Sequence, residues 1–146
     1  MGQDLGQVAR AVVSNYSNAD WNGLKALFTP DGIYNEIGSQ RKFQGPDAII
    51  RTLQDWKKSM TDSSGSVTNV FTAGNMAALE VTWQGTQDGP FTTPAGTLPP
   101  SGKHQRTQAV MIIKFQGDKI AELSHYFDMV TFLQQIGAMP AAAAHS

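Results

Sequence analysis

The sequence predicts an α+β fold, in which three helices precede a series of long antiparallel strands and one closing helix. Apolar residues recur at intervals of three and four over the first third of the chain, a spacing typical of amphipathic helices. Later segments are rich in β-branched and aromatic residues and are joined by short glycine-containing turns, which favours hairpins. No internal repeat or linker interrupts the 146 residues. We therefore expect a single domain over residues 1–137 and a flexible tail over residues 138–146.

The N-terminal part of the chain carries the three predicted helices. Residues 4–17 place apolar side chains on one helical face. Asp20 is a candidate N-cap for a short second helix, which the turn at residues 30–32 ends. A brief strand is predicted over residues 33–37. Pro46 then lies in the first turn of a third helix.

The middle of the chain predicts two strands and a long loop. Residues 67–73 and 76–87 form a hairpin, and alternation along the second strand points Trp83 and Gln87 inward. Residues 88–103 hold four prolines and three glycines, which predicts a loop that covers a site. A passive surface connector is the alternative explanation of this segment.

The last hairpin joins predicted strands at residues 104–116 and 119–127 through a Gly-Asp turn. In a two-residue turn Gln116 faces Lys119, and each further step pairs residues in antiparallel order. On this register the inner face carries Met111, Ile113, Glu122, Ser124, Tyr126 and Asp128.

The outer face of the same hairpin then carries Val110, Ile112, Leu123 and Phe127. A monomer rarely exposes an apolar patch of this kind. We therefore predict a homodimer in which two sheets pack back to back. His125 lies on this outer face as well, so an interface role is expected for it rather than a role as ligand or base.

Asp128 lies where the last strand ends and the closing helix begins. On an apolar inner face, desolvation raises the pKa of a carboxyl group, which suits a general acid or base near neutral pH. As an N-cap, Asp128 would instead accept backbone N–H groups, and these lower the pKa. Glu122 is about 20 Å away at ~3.3 Å per strand residue, too far to share a proton. A hydrogen bond across the sheet is the alternative role for Glu122.

The composition argues against several classes of function. A net charge of −1 without a basic run gives no basis for binding nucleic acid. The chain has no cysteine, its three histidines lack metal-binding spacing, and no nucleotide-binding motif is present. We therefore expect neither a metal nor a cofactor. With no signal sequence and no long apolar run, we expect a cytoplasmic protein without a membrane partner.

Four segments carry a family resemblance: WQGTQDGPF, PPSGK, GDKIAELSHYFD and LQQIG. With the order of the elements, they resemble the SnoaL-like polyketide cyclase (ester cyclase) branch of the nuclear-transport-factor-2-like superfamily. The resemblance implies a cone, a curved sheet wrapped around the helices, commonly as a dimer. It also implies that Asp128 is the general acid/base for an aldol closure of a polyketide ester, without metal or cofactor. Gln87 and Ser124 depart from the family pattern, which often has histidine and tryptophan there.

The leading hypothesis is a cofactor-independent enzyme that acts on a hydrophobic, carbonyl-bearing small molecule. Asp128 would move a proton next to the carbonyl group, and Gln105 or Gln87 would hold an oxygen. Hydrolysis by the same aspartate activating water, and binding without catalysis, are the alternatives. For most of the aromatic residues, a packed core is the simpler explanation. The predicted substrate-binding residues are Tyr16, Trp56, Trp83, Gln87, Phe91, Gln105, Met111, Glu122 and Tyr126.

Overall fold

We describe residues 4–93 and 96–139 of a computed structural model of the chain. These residues contain four α-helices, one short 3₁₀ helix (Ile37–Ser39) and eight strands. The helices are α1 (Leu5–Ser17), α2 (Trp21–Lys25), α3 (Pro46–Ser59) and α4 (Met129–Gln135). The strands are β1 (Phe28–Glu36), β2 (Arg41–Gln44), β3 (Ser64–Ala73), β4 (Met76–Thr86), β5 (Phe91–Thr93), β6 (Gly96–Leu98), β7 (His104–Gln116) and β8 (Lys119–Phe127).

Three of the four α-helices begin at an aspartate whose side chain accepts a hydrogen bond from an N–H group of the first turn. The carboxylate of Asp4 accepts from Gly6, that of Asp20 from Gly23, and that of Asp128 from Thr131. Each aspartate satisfies an amide that has no partner within its helix. The predicted starts of α1, α2 and α4 are therefore confirmed.

Six strands form one curved sheet in the order β2-β1-β8-β7-β4-β3. All neighbouring pairs are antiparallel except β1 and β8, which run parallel. Helix α1 packs on β3 and β4, and α3 packs on β1. The main core lies between the helices and the inner face of the sheet, with Leu24, Ile49, Leu79, Ile113 and Ile120 fully buried at its centre. The predicted α+β cone is confirmed.

Two segments differ from the expected elements. Residues 30–32, predicted as a break, lie inside β1, where its register against β8 shifts between Phe28 and Ile33. The predicted loop at residues 88–103 contains the small separate hairpin of β5 and β6. Phe91 of this hairpin joins a second apolar cluster with Phe132 of α4. The loop is thus packed against the body of the protein.

In the last hairpin, formed by β7 and β8, only the first two residue pairs after the turn match the predicted register. Gln116 pairs with Lys119 and Phe115 with Ile120, but Lys114 pairs with Glu122. Ala121 is therefore an extra residue in β8, a β-bulge. Because side chains alternate with a period of two, one extra residue moves every later side chain to the opposite face.

The bulge reverses the predicted faces of β8. Leu123, which is 1% exposed, and His125 lie on the inner side. Glu122 and Tyr126 lie on the outer side, and Tyr126 is 46% exposed. The outer apolar patch predicted from four residues therefore keeps only Val110 and Ile112, since Leu123 and Phe127 face inward.

The C-terminal end of the described chain is anchored one residue beyond the predicted domain limit. The amide of Ala138 donates to the carbonyl oxygen of Leu133 at 2.8 Å, and its side chain packs on the second apolar cluster. The rest of the predicted tail, from residue 140, lies outside the described residues. Within the described ranges, no helix is long and apolar enough to cross a membrane.

Candidate functional site

A chamber opens between the helices and the inner face of the sheet. The chamber and its open mouth together hold about 760 Å³ of space that protein atoms do not fill. Its wall is mostly apolar and takes residues from α1, α3, β1, β4, β7, β8 and α4. An apolar concavity with a few polar groups is the usual form of a small-molecule site.

Aromatic rings follow one another along the chamber wall. The ring centroid of Trp83 lies 5.3 Å from that of Tyr16 and 5.9 Å from that of His125. His125 lies 4.9 Å from Phe127, which in turn lies 6.1 Å from Trp56. Several of these contacts are edge-to-face, the geometry that the charge distribution of aromatic rings favours. Ring faces and edges of this kind suit flat apolar groups.

A directed chain of hydrogen bonds runs through this wall. The indole Nε1–H of Trp83 donates to Nε2 of His125 at 3.0 Å. An indole nitrogen only donates, so Nε2 is the acceptor and the proton of a neutral imidazole lies on Nδ1. Nδ1 then donates to the hydroxyl of Tyr34 at 2.9 Å, and that hydroxyl donates to Oε2 of Glu36 at 3.1 Å. All the hydrogens therefore point towards Glu36.

Glu36 is 0% exposed and has a full set of donors. Its Oε2 accepts from Tyr34 and from the indole of Trp56 at 2.9 Å, and its Oε1 pairs with Arg41 at 2.6 Å. The hydroxyl of Ser39 also donates to Oε1. A buried carboxylate needs such compensation, because isolated charge in a low dielectric is very costly. Glu36 is thus a negative charge with several hydrogen-bond donors, and it ends the row of hydrogen bonds that begins at Trp83.

Burial keeps the side chains of His125 and Tyr34 uncharged. Desolvation lowers the pKa of His125 to about 4, partly opposed by the charge of Glu36. Desolvation also raises the pKa of Tyr34 well above its ordinary value, and Glu36 adds to this rise. Near neutral pH, His125 is therefore an uncharged imidazole and Tyr34 keeps its hydrogen.

A pair of hydroxyl groups forms the second polar feature of the wall. Tyr16 Oη and Ser63 Oγ are 2.8 Å apart, and burial raises the pKa of Tyr16 to about 12. The pair has two hydrogens, and their mutual bond uses one of them. No acceptor for the other hydrogen is found among the described residues, so a ligand in the chamber can accept it.

Gln105 supplies a second unused hydrogen. The residue is 2% exposed, its Oε1 accepts from Thr107 at 2.6 Å, and its Nε2 lies 3.4 Å from the sulfur of Met60. A thioether is a weak acceptor, so among the described residues the amide has no strong partner for either hydrogen. The backbone amide of Ser63 donates to the carbonyl oxygen of Met60 at 3.0 Å. The hydroxyl pair and Gln105 therefore both adjoin Met60.

The structure brings five of the predicted substrate-binding residues to the chamber wall. They come from two helices and two strands that are far apart in sequence. These residues are Tyr16, Trp56, Trp83, Gln105 and Met111.

Four other predicted substrate-binding residues lie elsewhere. Glu122 accepts from Asn35 at 2.8 Å on the outer side of the sheet, and Tyr126 is exposed there; both are corrections that follow from the bulge. Gln87 is 1% exposed but bonds to the loop backbone, donating to Gly89 and Pro99. Phe91 packs in the second apolar cluster, behind the ring of Trp56.

The expectation that Asp128 lies inside the chamber is wrong. Its side chain is exposed and caps α4, with Oδ1 accepting from the amide of Thr131 at 3.1 Å and Oδ2 from its hydroxyl at 2.6 Å. These hydrogen bonds lower the pKa of Asp128. The N-cap alternative is the one that the structure shows, since the carboxylate is stabilised in its charged form.

Sequence reasoning missed the hydrogen bonds that join His125, Tyr34 and Glu36. The prediction that His125 lies on the outer face is wrong, because it extends a regular two-residue hairpin along the whole strand and so omits the bulge. The alternation of Tyr34 and Glu36 within β1 places them on one face, which is the only sequence signal for them. Within the described ranges, no three histidine, cysteine or acidic side chains come together as a metal site.

Comparison with known proteins identifies relatives. The family model described as SnoaL-like polyketide cyclase matches residues 6–136. No curated protein matches the chain by sequence.

Several solved structures share the fold. A proposed SnoaL-like polyketide cyclase from Jannaschia sp. CCS1 is 19% identical, with a TM-score of 0.82 over 95% of this chain and 100% of that one. AclR, a proposed hydroxylase from Streptomyces galilaeus, is 18% identical, with a TM-score of 0.81 over 96% and 85%. IdmH, a proposed polyketide cyclase from Streptomyces antibioticus, is 17% identical, with a TM-score of 0.79 over 92% and 99%. At these identities the likeness shows the fold.

Proposed function

Because the chain belongs to the SnoaL-like polyketide cyclase family, we propose that it is an enzyme acting on a hydrophobic small molecule that carries a carbonyl group. The reaction is an aldol-type ring closure or a related isomerisation. One observation carries the proposal: the free polar hydrogens of an aromatic chamber come from the Tyr16–Ser63 hydroxyl pair and the amide of Gln105. A carbonyl oxygen accepts two such hydrogens.

These donors suit the charge that develops in the proposed reaction. Removal of a proton next to a carbonyl group moves an electron pair onto the carbonyl oxygen. Donors that are already in place stabilise the resulting enolate, and they do so more strongly in an enclosed apolar site than in water. Neither a metal nor a cofactor takes part in the proposed step.

In this proposal Asp128 is not the general acid or base that the family resemblance implies. Its carboxylate is occupied by Thr131 and faces solvent. A general base should have a free lone pair directed at its substrate. We therefore expect the Asp128→Asn variant to keep its turnover.

The binding part of the proposal can be tested with two matched bicyclic compounds. 1-Tetralone carries a ketone, and tetralin is the corresponding hydrocarbon. In equilibrium dialysis, Gln105→Met and the double variant Tyr16→Phe/Ser63→Ala should each lower the ratio of ketone affinity to hydrocarbon affinity by about tenfold, the cost of one hydrogen bond in a buried site.

The matched control is Gln116→Ala, at the exposed end of β7 and outside the chamber wall. It should leave both affinities unchanged. Equal ketone-to-hydrocarbon ratios in the wild type and in both chamber variants would contradict the proposed role of these donors.

Non-catalytic binding of a small molecule is the second candidate, and one observation favours it. The lone pair of His125 accepts the indole hydrogen of Trp83, and the oxygens of Glu36 are all engaged. A chamber without a free base would hold a ligand and leave it unchanged. Mass spectrometry of a compound that copurifies with the protein, before and after incubation, distinguishes turnover from storage.

We also propose that the protein is cytoplasmic and that it forms a homodimer through the outer patch around Val110 and Ile112. The half-buried state of both side chains within one chain is compatible with further burial against a second copy.

A further inference from the structure

We propose that His125 takes up the substrate proton and that Trp83 shields its accepting nitrogen until a ligand enters. This inference rests on the proposed function, because it names the base for the same carbonyl substrate. Its evidence is the position of the imidazole on the chamber wall and the direction of the hydrogen bonds on either side of it.

His125 is the best base among the titratable side chains that line the described chamber. The others are Tyr16, Tyr34 and Glu36. Both tyrosines hold their hydrogens firmly, and the carboxylate oxygens of Glu36 already accept from several donors. Nε2 of His125 has one lone pair, which accepts a hydrogen bond from the uncharged indole N–H of Trp83. A neutral donor is displaced more easily than a charged one.

The groups beyond His125 prepare it to hold a proton. Nδ1–H already donates to Tyr34, whose hydroxyl donates to the negative Glu36. An imidazolium at His125 would thus interact with a carboxylate through one intervening hydroxyl. Arg41 pairs with Glu36 from the far side and reduces this attraction. Tyr34 and Glu36 are therefore positioning residues, since they act through His125.

The proton balance of the step is complete. The C–H bond next to the carbonyl breaks, the proton goes to Nε2, and the electron pair moves to the carbonyl oxygen to give an enolate. The enolate carbon then attacks a second carbonyl carbon of the same molecule, and Nε2 returns the proton to the new alkoxide oxygen. In an isomerisation, Nε2 returns it to a different carbon. No electrons are gained or lost overall.

Trp83 must move for this step to occur. Protonation at Nε2 would direct its N–H at the indole N–H, and two donors facing each other repel. Trp83 lies between Tyr16 and His125, at 5.3 Å and 5.9 Å between ring centroids. A ketone bound at the Tyr16–Ser63 pair would press on this indole. Substrate binding and exposure of the base are thereby coupled.

The test follows the exchange of the α-hydrogens of 1-tetralone for deuterium in D₂O by NMR, with the affinity for 1-tetralone measured separately. The wild type should accelerate the exchange. His125→Gln keeps an acceptor for the indole but does not titrate; it should lose about a hundredfold in the catalysed rate, with affinity changed less than about threefold. Exchange at the wild-type rate in this variant would overturn the proposal.

Two further variants test the neighbours of His125. Tyr34→Phe breaks the connection to Glu36 and should lower the exchange rate without weakening binding. Trp83→Phe removes the indole donor and should move the inflection of the pH–rate profile to higher pH, because the hydrogen bond to the neutral form is lost. An unchanged inflection in Trp83→Phe would overturn the shielding role.

Failure of this inference differs from failure of the proposed function. A wild type that binds 1-tetralone through the chamber donors without accelerating exchange overturns His125 as the base and favours the binding protein. If the chamber variants have the same ratio of ketone affinity to hydrocarbon affinity as the wild type, the proposed function itself is overturned.

Discussion

His125 shows how strongly the surroundings of one side chain determine its chemistry. Its imidazole is 8% exposed and lies among aromatic rings, and burial lowers its pKa from the ordinary 6.5 to about 4. The sequence offers no direct signal of this, because a histidine between Ser124 and Tyr126 fits either face of a strand. Only the pairing of β8 with its neighbours decides which face it takes.

The depressed pKa of His125 predicts a pH dependence of stability. Between pH 6.5 and about 4 the unfolded chain binds a proton at His125 that the folded chain does not. The stabilising contribution is complete above this range and is lost as the pH falls through it, by about 3 kcal/mol in all. Urea unfolding at several pH values should show this slope in the wild type and a smaller one in His125→Gln. Equal slopes would contradict the burial of an uncharged His125.

Gln87 is a second residue whose role depends on contacts rather than on type. Its side chain donates to the carbonyl oxygens of Gly89 at 2.9 Å and Pro99 at 3.0 Å, and accepts from the amide of Ser101 at 3.1 Å. It therefore holds together the two ends of the loop that carries β5 and β6. The inward direction of Gln87 was predicted from alternation, whereas its loop partners could not be, because the loop has no periodicity.

Truncation of Gln87 should destabilise the protein more than it affects ligand binding. Gln87→Ala leaves three backbone groups without their partner, and we expect a loss of about 3 kcal/mol in the free energy of unfolding. Gln116→Ala, at an exposed position, is the matched control and should change the stability little. A Gln87→Ala variant as stable as the control would show that the loop is held by other contacts.

At the scale of elements, the sequence predicts β8 correctly up to the bulge at Ala121, and the predicted faces of β8 are wrong after it. The limits of β7 and β8 and the first pairs after their turn agree with the prediction. Beyond Ala121, Leu123 and Phe127 lie on one face of β8, and Glu122, Ser124 and Tyr126 lie on the other. A simple two-residue hairpin does not allow for an extra residue, so only the observed pairing with β7 shows the one-residue shift. The predictions that depend on the faces of β8 change with this shift, including the inward position of Glu122 and Tyr126 and the size of the outer patch.

Deletion of Ala121 should remove the bulge and keep the native faces of β8. In this variant Phe115 can still pair with Ile120 and Lys114 with Glu122, so Leu123 and His125 continue to face inward. We expect a native near-ultraviolet circular dichroism spectrum and a cooperative thermal transition. Deletion of Ser124, which is regularly paired with Ile112, is the matched control; it turns His125 outward and should prevent the native fold. An unfolded Ala121 deletion variant would contradict the assigned bulge.

Helix α4 supplies the other test at this scale. Asp128 accepts two hydrogen bonds from Thr131 at the start of the helix, and these lower the pKa of Asp128. Asp128→Ala should lower the midpoint of thermal unfolding, and Asp128→Asn should lower it less, since asparagine also caps helices. Comparable turnover in Asp128→Asn and the wild type is expected. Loss of turnover in a fully folded Asp128→Asn would return Asp128 to the mechanism.

At the scale of the whole molecule, the general architecture was predictable and the pairing across it was not. Helical spacing, capping aspartates and glycine turns are local features, and they located the helices and the long strands. The parallel pairing of β1 with β8 joins distant segments, and no local pattern indicates it. This pairing places Tyr34 and Glu36 beside His125. The chamber could therefore be expected from the family resemblance, but its hydrogen-bond chain could not.

The assembly of the molecule remains a prediction that can be checked directly. If two copies pack through the outer face, sedimentation equilibrium should give the mass of a dimer, and Ile112→Glu should give a monomer that still binds 1-tetralone. Lys114→Glu, an exposed neighbour on the same strand, is the charge-changing control. A monomeric wild type at high protein concentration would contradict the dimer.

The position of a ketone in the chamber tests the central claim most directly. In a crystal structure of the complex with 1-tetralone, the account predicts the rings of the ligand among the aromatic side chains. Its carbonyl oxygen should lie within hydrogen-bond distance of the Tyr16–Ser63 pair or of Gln105, with the indole of Trp83 displaced from His125. A ketone bound outside the chamber, or one whose oxygen faces neither donor, would contradict it.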